Sequence, residues 1–117
     1  MDIVDHYFYL SDFAGKDEEK LTELCGLFSK DAIIESNGGD IIRGEKEFVP
    51  FFKEFFSRND ATRHLWNVIH SPNQLTQVNW GVVCRRKTGK YFTLTGSDYF
   101  KLENNKITHL KIVGNIS

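Results

Sequence analysis

The chain has little with which to staple itself, hold a metal or cross a membrane. Its 117 residues contain only two cysteines, Cys25 and Cys84. Both fall at apolar positions of periodic segments, so they read as reduced core thiols and point to a reducing compartment. There is no excess of either charge, with 15 Lys and Arg against 16 Asp and Glu. A general pull toward nucleic acid or an anionic membrane is therefore not expected. No stretch approaches the roughly 20 apolar residues that span a bilayer. The first ten residues, MDIVDHYFYL, are acidic and amphipathic, without the basic start and unbroken apolar run of a secretion signal, which suggests a cytoplasmic protein. No glycine-rich phosphate loop is present, and no cofactor is expected. His64 and His70 share a strand face but lie roughly 20 Å apart, too far to hold one metal. Repeats, linkers and low-complexity runs are also missing, and the length fits one domain over residues 1–117 that buries roughly two-thirds of its unfolded surface.

What the chain has in quantity is aromatic residues, including ten phenylalanines. Ile3, Val4, Tyr7 and Phe8 keep helical spacing to Ser11 or Ala14, with Gly15 as a stop. A second amphipathic helix starts at Asp17 in DEEKLTELCGLF, its first turn rich in acids. Residues 31–36 form a short strand, 37–40 a turn and 41–43 a second strand, closed by Gly44. From Glu45 to about Arg58, Phe48, Phe51, Phe52, Phe55 and Phe56 make a broad helical stripe whose surplus rings suggest the lining of a cavity. Pro50 fits that helix only if regular structure starts near Phe48 or Val49, or kinks there. Long strands over 61–70, 75–87, 90–103 and 106–113 complete the chain. This order predicts an α+β fold in which one curved antiparallel sheet wraps a layer of three helices.

The strand over 90–103 carries the main anomaly. Phe92, Leu94, Gly96, Phe100 and Leu102 share one face at the two-residue period, and Asp98 sits in the middle of that apolar set. A buried carboxylate needs a partner, a proton or a cavity. Lys87-Thr88-Gly89 reads as a three-residue loop that pairs Phe92 with Cys84, Gly96 with Trp80 and Asp98 with Val78, so that a glycine makes room for an indole. The next turn admits two counts. A three-residue loop ending in Asn105 places Asp98 opposite Leu110 and is favoured, because the apolar face continues. A two-residue Asn104-Asn105 loop places it opposite Lys111, as half of an ordinary ion pair.

The stretches LFSKDAIIES, IIRGEKEFVPFF, ATRHLWNVIH and GSDYFKLENNKITHLKI, in this order of elements, resemble the nuclear transport factor 2-like superfamily, and within it the SnoaL-like polyketide cyclase and ketosteroid isomerase-like domains. The resemblance runs over nearly the whole chain. It implies that the sheet forms a cone-shaped roll around the three N-terminal helices, with a pocket at its wide end, and a homodimer. It also implies that Asp98 matches the late-strand acid of those enzymes and Tyr7, or its neighbour Tyr9, the oxyanion-hole tyrosine. His64 matches a pocket histidine of scytalone dehydratase-like members. The catalytic base of the isomerases falls at Ser36 and is missing.

Two functions follow as expectations. One is a cofactor-independent isomerase, cyclase or dehydratase acting on a small hydrophobic carbonyl compound, with Asp98, His64 and Tyr7 as catalytic groups. The other is a non-catalytic ligand-binding or protein-association domain of the same fold. In both, Phe52, Phe55, Trp66, Trp80 and Phe100 are expected to line an apolar cavity. His6 and His109 are expected to face solvent, and the basic tip Arg85-Arg86-Lys87 to be a solvated turn. Leu65, Ile69, Val83, Tyr99 and Val113, on the other face of the sheet, form the expected dimer surface.

Overall fold

A computed structural model describes residues 2–70 and 75–115, the side chains of His70 and Asn115 excepted. The chain runs α1 (Ile3–Ser11), α2 (Glu18–Cys25), β1 (Phe28–Glu35), β2 (Ile41–Arg43), α3 (Glu45–Ser57), β3 (Ala61–His70), β4 (Leu75–Arg85), β5 (Tyr91–Glu103) and β6 (Lys106–Asn115). Six strands form one curved, open sheet in the order β2-β1-β6-β5-β4-β3. It is mixed rather than wholly antiparallel, because β1 pairs with β6 in parallel. None of the described helices is long and apolar enough to cross a membrane.

Local chemistry explains where the helices begin and end. Asp2 caps α1 by accepting from the Val4 amide at 2.9 Å, and Asp17 caps α2 by accepting from Glu19 at 3.0 Å and Lys20 at 3.3 Å. Helix α2 stops at Cys25 because the following segment joins the sheet, where the Ile107 amide donates to the Leu27 carbonyl at 2.9 Å. Strand β1 accordingly starts at Phe28 and not near residue 31. Gly15 is not a helix stop, since α1 ends at Ser11. A Cβ at Gly15 would run into the Phe56 carbonyl, so the glycine lets the α1–α2 connection lie against α3. Helix α3 begins at Glu45 and runs through Pro50, a turn earlier than that proline suggested. Its start is held by the Glu47 carboxylate, which accepts from the Arg43 amide at 3.0 Å.

The sheet's inner face reads as rungs. Thr62, Cys84 and Phe92 form one; His64, Val82 and Leu94 the next; then Trp66, Trp80, Gly96 and Gly114; then Val68, Val78, Asp98 and Ile112. The β4–β5 register is the one the Gly89 turn requires, with Gly89 at φ 92°. The β5–β6 register matches neither count. The turn is the two-residue one, with Asn104 and Asn105 both at positive φ, yet Thr108 is extruded as a bulge between Leu102↔Ile107 and Lys101↔His109. That extra residue restores the apolar phase and puts Ile112, neither Leu110 nor Lys111, opposite Asp98.

Helices α1 and α3 cover the narrow part of this face. Phe8, Phe48, Phe52 and Phe100 are fully buried there, with Tyr7 edge-on to Phe8 at 5.2 Å and to Phe100 at 5.4 Å. Gly96 is the tightest point of the wall, because a Cβ there would meet the Trp80 ring and the Val113 carbonyl. We predict that Gly96→Ala lowers stability by about 1–3 kcal/mol through overpacking. Urea denaturation should show an earlier midpoint, and an unchanged midpoint would contradict this packing.

Candidate functional site

Where the helices do not reach, the inner face opens into a cavity of about 450 Å³. Its floor is the inner face of β3, β4 and β5, its roof Tyr7, Phe8 and Ser11 of α1, and its far wall Phe55 and Phe56 of α3. Asp98 lies at one end, 4% exposed, with the Trp80 Nε1–H donating to its Oδ1 at 2.9 Å. The indole reaches across β5 above Gly96 to do so. Burial pushes the Asp98 carboxyl up to about 7, while the Trp80 hydrogen bond favours its charged form and limits the rise. Lys111 stands opposite Tyr99 and is exposed, so the ion-pair account of Asp98 does not hold.

Tyr7 is buried in the same region. Burial and the neighbouring Asp98 charge hold its phenol well above the usual value, with the Ser11 hydroxyl acting in the opposite sense. It is therefore a neutral hydrogen-bond donor at physiological pH. Tyr9 points away and is 43% exposed, which settles which of the two tyrosines faces the cavity.

His64 comes from the middle of β3, and Asp12 anchors it. Nδ1 lies 2.7 Å from Asp12 Oδ1, and the same carboxylate accepts the His64 backbone amide at 3.1 and 3.2 Å and the Thr62 hydroxyl at 3.4 Å. A carboxylate on Nδ1 fixes the proton there and leaves Nε2 for the cavity. The His64 ring meets the Trp80 ring edge-on at 6.2 Å, so Trp80 lies between His64 and Asp98 and touches both. Asp12 escaped sequence reading, although one signal existed. It is the C-cap of α1, where a negative charge opposes the helix dipole and needs a partner.

Among the expected lining residues, Phe55 and Trp80 face the cavity. Phe52 and Phe100 are fully buried core behind it. Trp66 stacks on Phe8 at 5.5 Å and donates its Nε1–H to Asp5 at 2.8 Å, outside the cavity. The cavity is also less apolar than expected, since the exposed Arg58 and Arg86, with Asn59, border it on one side and the exposed Asn37, beside Gly114, on the other. At the position of the missing base, the Ser36 hydroxyl accepts from the Asp40 amide at 3.1 Å and serves the turn, while Asn37 accepts from the Gly114 amide at 2.8 Å. His6 and His109 are part-exposed but paired, with Glu23 at 3.0 Å and Glu35 at 2.6 Å. The His70 side chain lies outside the described residues. Cys25 and Cys84 are free thiols, and burial pushes Cys25 up to about 11. Among the described residues no cluster of His, Cys, Asp and Glu could hold a metal.

An open curved sheet closed over by helices, with buried polar groups in the gap, defines the nuclear transport factor 2-like class of proteins. An NTF2-like protein of unknown function from Exiguobacterium sp. 255-15 is 25% identical and superposes with a TM-score of 0.87 over 98% of this chain and 99% of that one. Two others share the fold. One is a hypothetical protein with a ketosteroid isomerase-like fold from Catenulispora acidiphila, crystallised with trimethylamine (11% identical, TM-score 0.79, covering 99% and 85%). The other is SalBIII, an epoxide hydrolase/cyclase-like enzyme of pyran ring formation in salinomycin (16% identical, TM-score 0.79, covering 97% and 88%). The SnoaL-like domain model matches residues 9–110, and the chain belongs to that family. No curated protein matches it.

The raised Asp98 value sets a pH dependence. The folded chain keeps a proton that the unfolded chain releases near 3.8, so the stability linked to Asp98 is fully present below about pH 4 and is lost as pH rises through about 7. Asp98→Asn should therefore stabilise the fold by a few kcal/mol at pH 8, on the order of the lost burial penalty, and change little at pH 4. Urea midpoints at the two pH values measure this. A carboxyl NMR titration of Asp98 with its midpoint at or below 4 would refute the assignment.

Proposed function

We propose that the cavity binds a small, mainly apolar carbonyl compound and that the chain acts on it by acid–base chemistry without a cofactor, as an isomerase, cyclase or dehydratase. The observation that carries this reading is Asp98, an acid shifted toward neutrality that opens, beside the neutral phenol of Tyr7, into the cavity His64 lines. Protonated Asp98 and Tyr7 would donate to the carbonyl oxygen and stabilise the negative charge that grows there. His64 Nε2, with Asp12 behind it, would take the proton from the carbon next to the carbonyl. Returning that proton at another carbon isomerises the compound. Loss of a hydroxyl from the next carbon, with a proton, dehydrates it. The Trp80 indole separates acid from base, so a planar ligand lying on it would reach both. On this reading the base stands on β3, which would account for a site without a carboxylate at Ser36.

In deuterium oxide, the parent chain should exchange the proton next to the carbonyl in members of a panel of cyclic ketones, followed as loss of an NMR signal. Asp98→Ala and His64→Gln should each lower that rate by about 100-fold or more. Exchange no faster than in buffer, or unaffected by either change, would leave a binding domain only.

The chain is further proposed to be a homodimer through the outer sheet face. Leu65 is 82% exposed and stands beside Gly81, which has no side chain to cover it, with Val83 at 48% and Ile69 at 40%. Tyr99 and Val113, part-buried on the same sheet, extend that surface. Apolar groups so grouped mark an association surface. Sedimentation equilibrium at tens of micromolar should give a dimer and Leu65→Lys a monomer. A monomeric parent chain would refute the arrangement.

A further inference from the structure

The end of the cavity remote from Asp98 carries a charge that the acid–base reading does not use. Arg86 sits at the start of the β4–β5 turn, where its amide donates to the Lys90 carbonyl at 2.8 Å, and its guanidinium lies over the Phe92 ring at 4.4 Å. Arg86 and Phe92 both line the cavity. Stacking of this kind fixes the plane of the guanidinium and leaves its N–H edge free to donate.

The neighbouring cations are engaged elsewhere. Arg58, the other cavity-lining cation, is held by Glu54 through contacts of 3.0, 3.1 and 2.7 Å. Arg85 pairs with Asp60 at 2.7 Å, and Lys16 shares that carboxylate at 2.9 Å. Among the described residues Arg86 forms no ion pair. Its charge is nevertheless felt inside the cavity, where it draws the Cys84 thiol back down against the effect of burial. Asp98, the one carboxylate among the lining residues, lies six residues along β5 from Phe92, roughly 20 Å away. The cavity therefore has an acid at one end, apolar walls along its length and an unpaired, oriented cation at its mouth.

We propose that Arg86 recognises an anionic end group, so that the ligand is an elongated apolar molecule with a carboxylate or similar monoanion at the end remote from Asp98. This rests on the pocket reading above and narrows its substrate class from apolar carbonyl compounds to apolar keto acids. A guanidinium pairs with a carboxylate through parallel N–H donors, and the Phe92 ring beneath it shields one face of that pair from water.

The test uses two probes with the same apolar body, 4-(pyren-1-yl)butanoate and its neutral amide, titrated against the full chain by quenching of tryptophan fluorescence. At pH 6 Asp98 is mainly protonated and does not repel the anion. The butanoate should bind about fivefold more tightly than the amide, the upper end of what a partly solvated ion pair gives, and the preference should shrink as salt is raised. Arg86→Met keeps an apolar stem on Phe92 and should abolish the preference by weakening the butanoate about fivefold more than the amide. Lys87→Met, next in sequence but outside the lining, should retain it. Equal binding of the two probes by the parent chain, or a preference that survives Arg86→Met, would overturn the role of Arg86 and leave the pocket standing. Binding of neither probe would overturn both.

Discussion

A tryptophan lying across a glycine is what allows a carboxyl group to sit inside this sheet. Asp98 faces the core side of β5, and without a donor its burial would be a large penalty in either protonation state. Gly96, two residues earlier on the same face, removes the one side chain that would keep the Trp80 indole on its own strand. The indole then crosses to Asp98 and supplies a hydrogen bond that suits both the acid and its anion. The same ring is the surface against which His64 rests. Residues from three strands are in this way referred to one rigid aromatic plate, and such a plate holds side chains in place better than a loop can.

The aromatic surplus divides according to what covers it. Phe48 and Phe52 project from α3 onto β1 and pack solidly with Phe28, with ring centroids 5.5 and 5.1 Å apart from it. Phe55 and Phe56 belong to the last turn of α3 and are only part-buried, Phe56 stacking on Phe52 on one side, and both border the cavity. One helical stripe thus serves as core at its start and as cavity wall at its end. The polar groups follow the same axis, with Asp98 and Tyr7 deep, His64 midway and Arg86 at the mouth. A ligand entering lengthwise would meet them in reverse order.

Much of this was legible in the residues. The β4–β5 register followed from Gly89, whose positive φ dictates the loop, and the pairing of Trp80 with Gly96 followed from that register. Asp98 was conspicuous because a charge breaks an apolar period. The β5–β6 register was misread although the bulge leaves a mark, since Ile107 and Leu110 are both buried yet three residues apart, a break in the two-residue period that turn counting alone ignores. Asp12 was hidden because its partners, Thr62 and His64, are about fifty residues away and only folding brings them together. Trp66, Phe52 and Phe100 were assigned to the cavity because periodicity tells which face a side chain takes and not whether a helix covers that face. Arg86 looked like one of several turn cations. Its distinction, the ring beneath it, depends on a partner across the hairpin.

The bulge at Thr108 also bears on how this chain can change length. Strand β6 is paired on both sides, to β5 and to β1, and a residue lost from most of it would turn every later side chain over, sending Leu110 and Ile112 to solvent. Thr108 stands outside both ladders. The pairs Leu102↔Ile107 and Lys101↔His109 close around it on the β5 side, while on the β1 side the ladder is interrupted between Phe28↔Ile107 and Ile33↔His109, so no β1 pair counts it either. Its removal would relax the local bend while leaving Ile112 opposite Asp98. The strand therefore has a neutral joint, one place where a codon can be dropped without exchanging the inside of the cavity for the outside.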